Sequence, residues 1–176
     1  MYFITVRTLG RKNLLGEVVS NEVALSEFGK IVEKCWLDIP EHFPTVQLDR
    51  YVVMPNHLHG IVFLREYPED LVGVRYIEPQ RATRGSQFQH MTPKSIASIV
   101  QAFKAAVTRI GHRRKWCDFR WQRNYYEHII RDGQDLDRVR EYILENPMNW
   151  VIDEDFPDNI RMDKIHKGKA DWSPLN

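Results

Sequence analysis

Tyr51-Val52-Val53-Met54-Pro55-Asn56-His57-Leu58-His59-Gly60-Ile61-Val62-Phe63-Leu64 decides how this chain folds. Apolar and β-branched residues stand on both sides of Pro55-Asn56, a pair that favours a tight turn. With Val46-Gln47-Leu48-Asp49-Arg50 ahead of it, the stretch predicts a strand over 46–54 and an antiparallel partner over 57–64. Side chains alternate across a strand, so His57 and His59 share one face while Leu58 points the other way, into the core.

Upstream, residues 1–8 alternate as a strand, and Leu9-Gly10-Arg11-Lys12-Asn13 reads as a turn. From Asn21 to about Asp38, Val23, Leu25, Phe28, Ile31, Val32, Cys35 and Trp36 recur mostly at three and four. That period predicts an amphipathic helix with Asn21 as its N-cap, ended by Pro40 and Pro44. Downstream, residues 66–92 fit no period and hold Pro68, Gly73, Pro79 and Gly85, which predicts a long loop. Thr92-Pro93 then opens a helix that runs through Ile96, Ile99, Val100, Phe103, Val107 and Ile110 to Gly111. Tyr125 to Ile130 predicts a further strand. Asp135 to Glu145 predicts a helix with Leu136, Val139, Tyr142 and Ile143 on one stripe, stopped by Pro147. The order β-α-β-β-α-β-α predicts an α+β fold, in its simplest form a ferredoxin-like antiparallel sheet with helices packed on one face.

The chain has 176 residues, enough for one domain with a substantial core, and no internal repeat. Hydrophobic residues make up 43% and charged residues 28%, ordinary for a globular protein. No apolar run approaches the ~20 residues that span a bilayer, so no membrane partner is expected. The N-terminus reads as an immediate strand and not as a signal peptide. Cys35 and Cys117 are isolated, as reduced thiols of a cytoplasmic protein would be.

Net charge is only +1, yet it is sorted along the chain. Lys94, Lys104, Arg109, Arg113, Arg114, Lys115, Arg120, Arg123 and Arg131 face just Asp118 and Glu127 in their stretch, a local excess of seven positive charges. Acids such as Asp153-Glu154-Asp155 restore the balance later. Sorting of this kind can give a near-neutral protein one positive face for nucleic acid, or merely a solvated helix surface. Trp116, Phe119, Trp121, Tyr125 and Tyr126 interleave with Lys115, Arg120 and Arg123. Aromatics among cations can stack unpaired bases and hold phosphates, or the rings can simply belong to the core.

Two patterns carry chemistry. Imidazoles at 57 and 59 on one strand face can hold one divalent ion, although such pairs also occur on strands that bind nothing. Tyr142 and Asn146 lie one helical turn apart and so project together. The amide oxygen of Asn146 is a third, hard ligand candidate, while a core tyrosine and a helix stop are the plainer readings. Taken together, histidines plus an amide oxygen suit Mg²⁺ or Mn²⁺. No third histidine, cysteine or carboxylate stands at a spacing for closed zinc coordination. A tyrosine beside such an ion can attack a phosphodiester.

The segment Tyr51 to His59 resembles the His-hydrophobic-His (HUH) segment of the single-tyrosine transposases. Trp121-Gln122-Arg123-Asn124-Tyr125-Tyr126-Glu127-His128-Ile129-Ile130-Arg131-Asp132 and Tyr142-Ile143-Leu144-Glu145-Asn146-Pro147 resemble the second half of their REP-associated branch (RAYT proteins). Ser95 to Lys104 is similar to that branch's middle helix. The likeness covers roughly residues 1–150, in order, leaving 151–176 as a C-terminal extension. It implies an HUH nuclease fold that recognises hairpins and cuts single-stranded DNA, leaving a 5′-phosphotyrosine and a free 3′-hydroxyl. By this resemblance His57, His59 and Asn146 are metal ligands and Tyr142 is the nucleophile. Lys104, Arg113, Arg114, Lys115, Arg120, Arg123 and Arg131 are the expected DNA-binding residues. Insertion-sequence relatives usually have Gln where Asn146 stands, which favours the REP-associated branch. Many relatives carry a leader before the first strand; recognition of a guide tetranucleotide by such a leader is not carried over.

The expectation is therefore a cytoplasmic transposase-type endonuclease, monomer or homodimer, nucleoid-associated when bound to single-stranded or hairpin DNA. A domesticated, non-catalytic binder of hairpin DNA or RNA is the alternative, against which stands the presence of all four site residues. A cupin also uses a pair of histidines at this spacing, but usually has a glutamate a few residues on. Phe63 and Leu64 occupy that stretch here, and Glu66 is the first acid.

Overall fold

A computed structural model describes residues 1–65, 95–116 and 119–152. In chain order the elements are β1 (Tyr2–Arg7), β2 (Gly16–Val19), β3 (Glu22–Leu25), α1 (Glu27–Leu37), the short α2 (Ile39–His42), β4 (Val46–Val53), β5 (His57–Leu64), α3 (Ile96–Arg113), β6 (Tyr126–Ile129) and α4 (Gly133–Glu145). Four strands form a sheet in the order β4-β5-β1-β6, with every neighbouring pair antiparallel. Apart from the inserted β2–β3 hairpin, β1-α1-β4-β5-α3-β6 is the ferredoxin-like order. The α+β class with an antiparallel sheet is borne out.

β5 is central and buried on both faces, which explains its nearly unbroken apolar run. Ile4, Val6, Leu58 and Val62 meet Val32 and Trp36 of α1 and Ile99, Phe103 and Val107 of α3. On the opposite face Phe3 and Ile61 meet Ile130 and the α4 residues Val139 and Ile143. So α1 and α3 pack on one face as expected, while α4 lies across the other. Alternation along β1 requires this, because Phe3 and Thr5 are buried as completely as Ile4 and Val6.

The helix predicted from Asn21 starts later. Ser20 and Asn21 have φ of 52° and 65° and turn a tight hairpin, so Val23 and Leu25 belong to β3. Two apolar residues at i and i+2 fit a strand as well as a helix's edge, and the left-handed turn decides between them. The cap is Ser26, whose Oγ accepts from the Gly29 N–H at 3.0 Å. At α3 the cap is Ser95, whose Oγ accepts from Ser98 N–H. Thr92, Pro93 and Lys94 lie outside the described residues, as do the 66–92 segment, Cys117, Asp118 and everything after Ile152. Asp132 caps α4 by accepting from Asp135 N–H at 2.8 Å.

Behind the histidines the packing is tight at one point. A Cβ on Gly60 would stand 2.3 Å from the ring of Trp36, which is itself fully buried. Gly60→Ala must move a large indole or the β5 backbone, a cost of about 1–3 kcal/mol. The expected outcome is a melting temperature lower by roughly 2–4 °C per kcal/mol, read by circular dichroism.

Candidate active site on the sheet face beneath α4

Antiparallel register places Arg7 opposite His57, Thr5 opposite His59 and Phe3 opposite Ile61, all on one face. Both histidines are buried, and the Nδ1 of each is committed to a neighbour. His57 Nδ1 is 2.8 Å from Asn56 Oδ1. The Asn56 amide is oriented by donating its Nδ2 proton to the Arg11 carbonyl at 3.1 Å. Its oxygen therefore faces His57, so the ring donates from Nδ1 and keeps a lone pair on the buried Nε2. Burial, with the charges of Arg7 and Arg11, pushes His57 down to about 3, against an opposing hydrogen bond with Asn146. The imidazole is thus neutral at physiological pH, as a ligand must be. His59 Nδ1 is 2.8 Å from Thr5 Oγ1, and its Nε2 is 3.3 Å from the Tyr142 hydroxyl. The two imidazole centroids are 4.3 Å apart.

α4 brings the other two groups. Val139 and Ile143 face the sheet, which sets Tyr142 and Asn146 over its histidine end. Asn146 caps the helix in αR geometry, with its side chain buried and in hydrogen-bonding contact with His57. Tyr142 keeps 39% of its surface exposed. Its ring stands edge-on to Phe3 at 5.9 Å, and Phe3 stacks on His59 at 5.3 Å. Arg140 ties the helix to β4 through Asp49, with Nη2 to Oδ2 at 2.6 Å and Nε to Oδ1 at 3.3 Å. Trp150, just beyond α4, closes over His57 with ring centroids 5.9 Å apart.

The four residues His57, His59, Tyr142 and Asn146 are therefore neighbours. Among the described residues no group of three or more His, Cys, Asp or Glu could hold a metal, so the donor set available is two imidazoles and one amide oxygen. A cleft of about 460 Å³ lined by Lys12, Phe28, Lys115 and Trp116 lies by α1 on the other face, away from this chemistry.

The basic residues divide. Arg113, Arg114 and Lys115 are exposed at the C-terminus of α3, where they also suit the helix dipole. Arg120 and Arg123 are exposed on a segment bonded to the end of β1, through Leu9 N–H to Arg120 O and Gln122 N–H to Arg7 O, both 2.8 Å. Lys104 is engaged within the protein. Its half-buried ammonium donates to the carbonyls of Gln122, Arg123 and Asn124, so it fixes the loop that carries Arg123. Arg131 stands at the opposite end of the sheet, because Ile130 N–H bonds the Met1 carbonyl. The aromatic run is mostly core: Trp116 and Phe119 pack on Phe28, and Trp121 packs on Phe103 and Phe119. Tyr125 packs on the same core, while Tyr126 pairs with Thr5 on the histidine face. The residues that sequence reading missed are Thr5, Asn56, Trp150 and the Asp49–Arg140 pair. Only Asn56 carried a signal, as an amide directly before the first histidine.

An antiparallel sheet with a His-hydrophobic-His pair and a tyrosine helix laid over it defines the HUH single-tyrosine class of fold. No family model matches the chain. Its structure is similar to one described as the REP-associated tyrosine transposase bound to a REP hairpin, with a TM-score of 0.56 and 18% identity over 99% of this chain and 85% of that one. In sequence it is 28% identical over 112 residues to a Haemophilus influenzae protein described as “Putative REP-associated tyrosine transposase”, spanning 61% of this chain and 52% of that protein. The chain belongs to one family with an uncharacterised H. influenzae protein, 40% identical over 158 residues, 89% of this chain and 85% of the relative. It thus resembles the REP-associated tyrosine transposases in sequence and shares their fold, as the motifs implied. Among the described residues no helix is long and apolar enough to cross a membrane.

The tie between α4 and β4 is pH-dependent. Burial raises Asp49, but hydrogen bonds from Arg140 and from the Arg50 N–H, helped by both charges, hold the carboxyl below its ordinary value. A carboxyl held low in the folded state stabilises it above the unfolded value of about 3.9, and that gain is lost as pH falls through the folded value. Urea unfolding should show wild type more stable than Arg140→Ala near neutrality. Their difference should shrink on acidification below about pH 4.

Proposed function

We propose that the chain is a single-strand DNA endonuclease and strand transferase that cuts hairpin-containing DNA by attack of Tyr142, with Mg²⁺ or Mn²⁺ as cofactor. The observation that carries this reading is the mutual contact of His57, His59, Asn146 and Tyr142, delivered by β5 and α4. His57, His59 and Asn146 would hold the ion, since a neutral imidazole lone pair and a buried amide oxygen are hard to intermediate donors. When bound, the ion supplies charge neutralisation at a phosphate oxygen and favours the phenolate. A phenol with a pKa of ~10 is otherwise mostly protonated at neutral pH.

The chain's own residues do the rest. Thr5 and Asn56 hold the imidazoles in one orientation, and the Asp49–Arg140 pair holds α4 over them. Tyr142 Oη attacks phosphorus after its proton passes to water. The bond from phosphorus to O3′ breaks, and O3′ gains a proton from water to leave as a free 3′-hydroxyl. The other product is a 5′-phosphotyrosine, whose phosphodiester energy is kept for rejoining without ATP. Tyr142 lies 3.3 Å from His59 within one chain.

Arg113, Arg114, Lys115, Arg120 and Arg123 supply the phosphate contacts in this reading. Arg131, at the far end of the sheet, serves only a DNA that extends that far. The solved relative described as bound to a REP hairpin supports a hairpin partner.

Tyr142→Phe should fold, bind hairpin DNA and form no covalent adduct on a denaturing gel, whereas Tyr126→Phe should still form one. His57→Ala should lower cleavage by at least ~10²-fold with binding largely retained, since the basic surface supplies most affinity. Cleavage that survives excess EDTA overturns the cofactor assignment. Affinity should fall steeply with salt and favour hairpins with unpaired bases over blunt duplex, as a fluorescence anisotropy titration would read.

A further inference from the structure

The uncharged character of the donor set leaves a question about charge. Imidazole and amide ligands bring no negative or positive charge to an ion they hold, while a phosphodiester under attack gains negative charge on its non-bridging oxygens. We infer that Arg7 supplies a further cation, beside any bound ion, as a phosphate-binding residue inside the active site; this rests on the cleavage reading above.

Three observations carry it. First, Arg7 is the last residue of β1 and the direct partner of His57 in the antiparallel register. Alternation puts its side chain on the face that holds Thr5, His57, His59 and Tyr142. Paired Cα atoms in such a ladder are about 4.5–5.5 Å apart, so an arginine side chain at this position is long enough to reach a phosphate seated at the histidines. Second, the Arg7 backbone is held on both sides. Its carbonyl accepts from the Gln122 N–H at 2.8 Å, and the next residue, Thr8, donates to the Asn56 carbonyl at 2.8 Å. The side chain therefore starts from a fixed point, the turn that also positions His57. Third, the half-buried Arg7 is close enough to act electrostatically on His57, beside Arg11.

The residue type fits the task. A guanidinium offers two parallel donors to two oxygens of one phosphate, and its charge stays on at every working pH. Arginines outside this face, such as Arg113 and Arg114, contact DNA elsewhere along its backbone. Among the arginines of the described strands, Arg7 is the one register-paired with a candidate ligand.

The test is single-turnover adduct formation on a hairpin substrate with an ordinary scissile phosphate, and on one with a methylphosphonate there. The methyl group replaces a non-bridging oxygen and removes the negative charge. On the ordinary substrate Arg7→Ala should be slower by about 100-fold, with Arg7→Lys between it and wild type. Hairpin affinity should change far less than the rate. On the methylphosphonate the gap between wild type and Arg7→Ala should close to within a few fold. An Arg7→Ala protein that cleaves the ordinary phosphate like wild type overturns the inference alone. So does a defect of equal size on both substrates, which would make Arg7 merely structural. Arg7→Gln, checked by circular dichroism, carries the same comparison if the alanine variant fails to fold. A wild type that forms no adduct on the ordinary substrate overturns the cleavage reading and this inference with it.

Discussion

The pairing of β1 with β5 determines where every group at the candidate site stands. A ladder register is set once, and each residue on one strand then has a fixed partner and a fixed face. Here that register matches Thr5 to His59 and Arg7 to His57. A slip by one residue would turn both imidazoles into the α1–α3 core and Leu58 out of it. What prevents the slip is burial on both faces: Ile4, Val6, Leu58 and Val62 on one side, Phe3 and Ile61 on the other. The Gly60 contact with Trp36 adds a steric pin at the same place.

Burial alone would leave the imidazoles free to rotate or to exchange tautomers. The second requirement is a partner for each Nδ1, and it is met by two different devices. Thr5 reaches His59 across the ladder, whereas Asn56 reaches His57 from the preceding position in the turn. Asn56 is itself oriented by the Arg11 carbonyl, in a turn where Arg11 adopts a positive φ of 52°. The chain thus spends a strained residue and a buried amide to keep one lone pair pointed at α4. Groups of this kind behind metal-binding histidines commonly set ring orientation and basicity.

α4 is the less firmly held partner. Its buried apolar contribution is small, with Val139 and Ile143 as its buried side chains. The bidentate Asp49–Arg140 pair and the Tyr142 contacts with Phe3 and His59 complete the docking. Elements with few buried apolar contacts open at lower free energy than the core does. In the proposed reaction, a tyrosine that receives and later releases a DNA strand would be well served by such a helix, provided something restores its position. A charge pair anchored on β4 does so without adding bulk at the site.

Much of this was legible in the amino-acid order itself. The 51–64 stretch dictated the β4–β5 hairpin and the shared face of His57 and His59, because a period of two admits no other arrangement on a strand. The i, i+4 spacing put Tyr142 and Asn146 on one helix face for an equally local reason. The start of α1 was not legible, since Val23 and Leu25 satisfy both periods and only the left-handed turn at Ser20-Asn21 assigns them to β3. Nor could local rules tell a core aromatic from a surface one: Trp121 and Tyr125 joined the core, while Tyr126 went to the histidine face. No local signal showed that Lys104, one cation in a basic run, donates to three carbonyls of the loop that carries Arg123. Only the tertiary structure decided that α4 covers the second face of the sheet, that Arg7 stands opposite His57, and that Asp49 meets Arg140 across 91 residues of chain. The reason is physical. Periodicity is a property of neighbours along the chain, whereas register and docking are settled by which distant surfaces can bury each other without leaving a polar group unmatched.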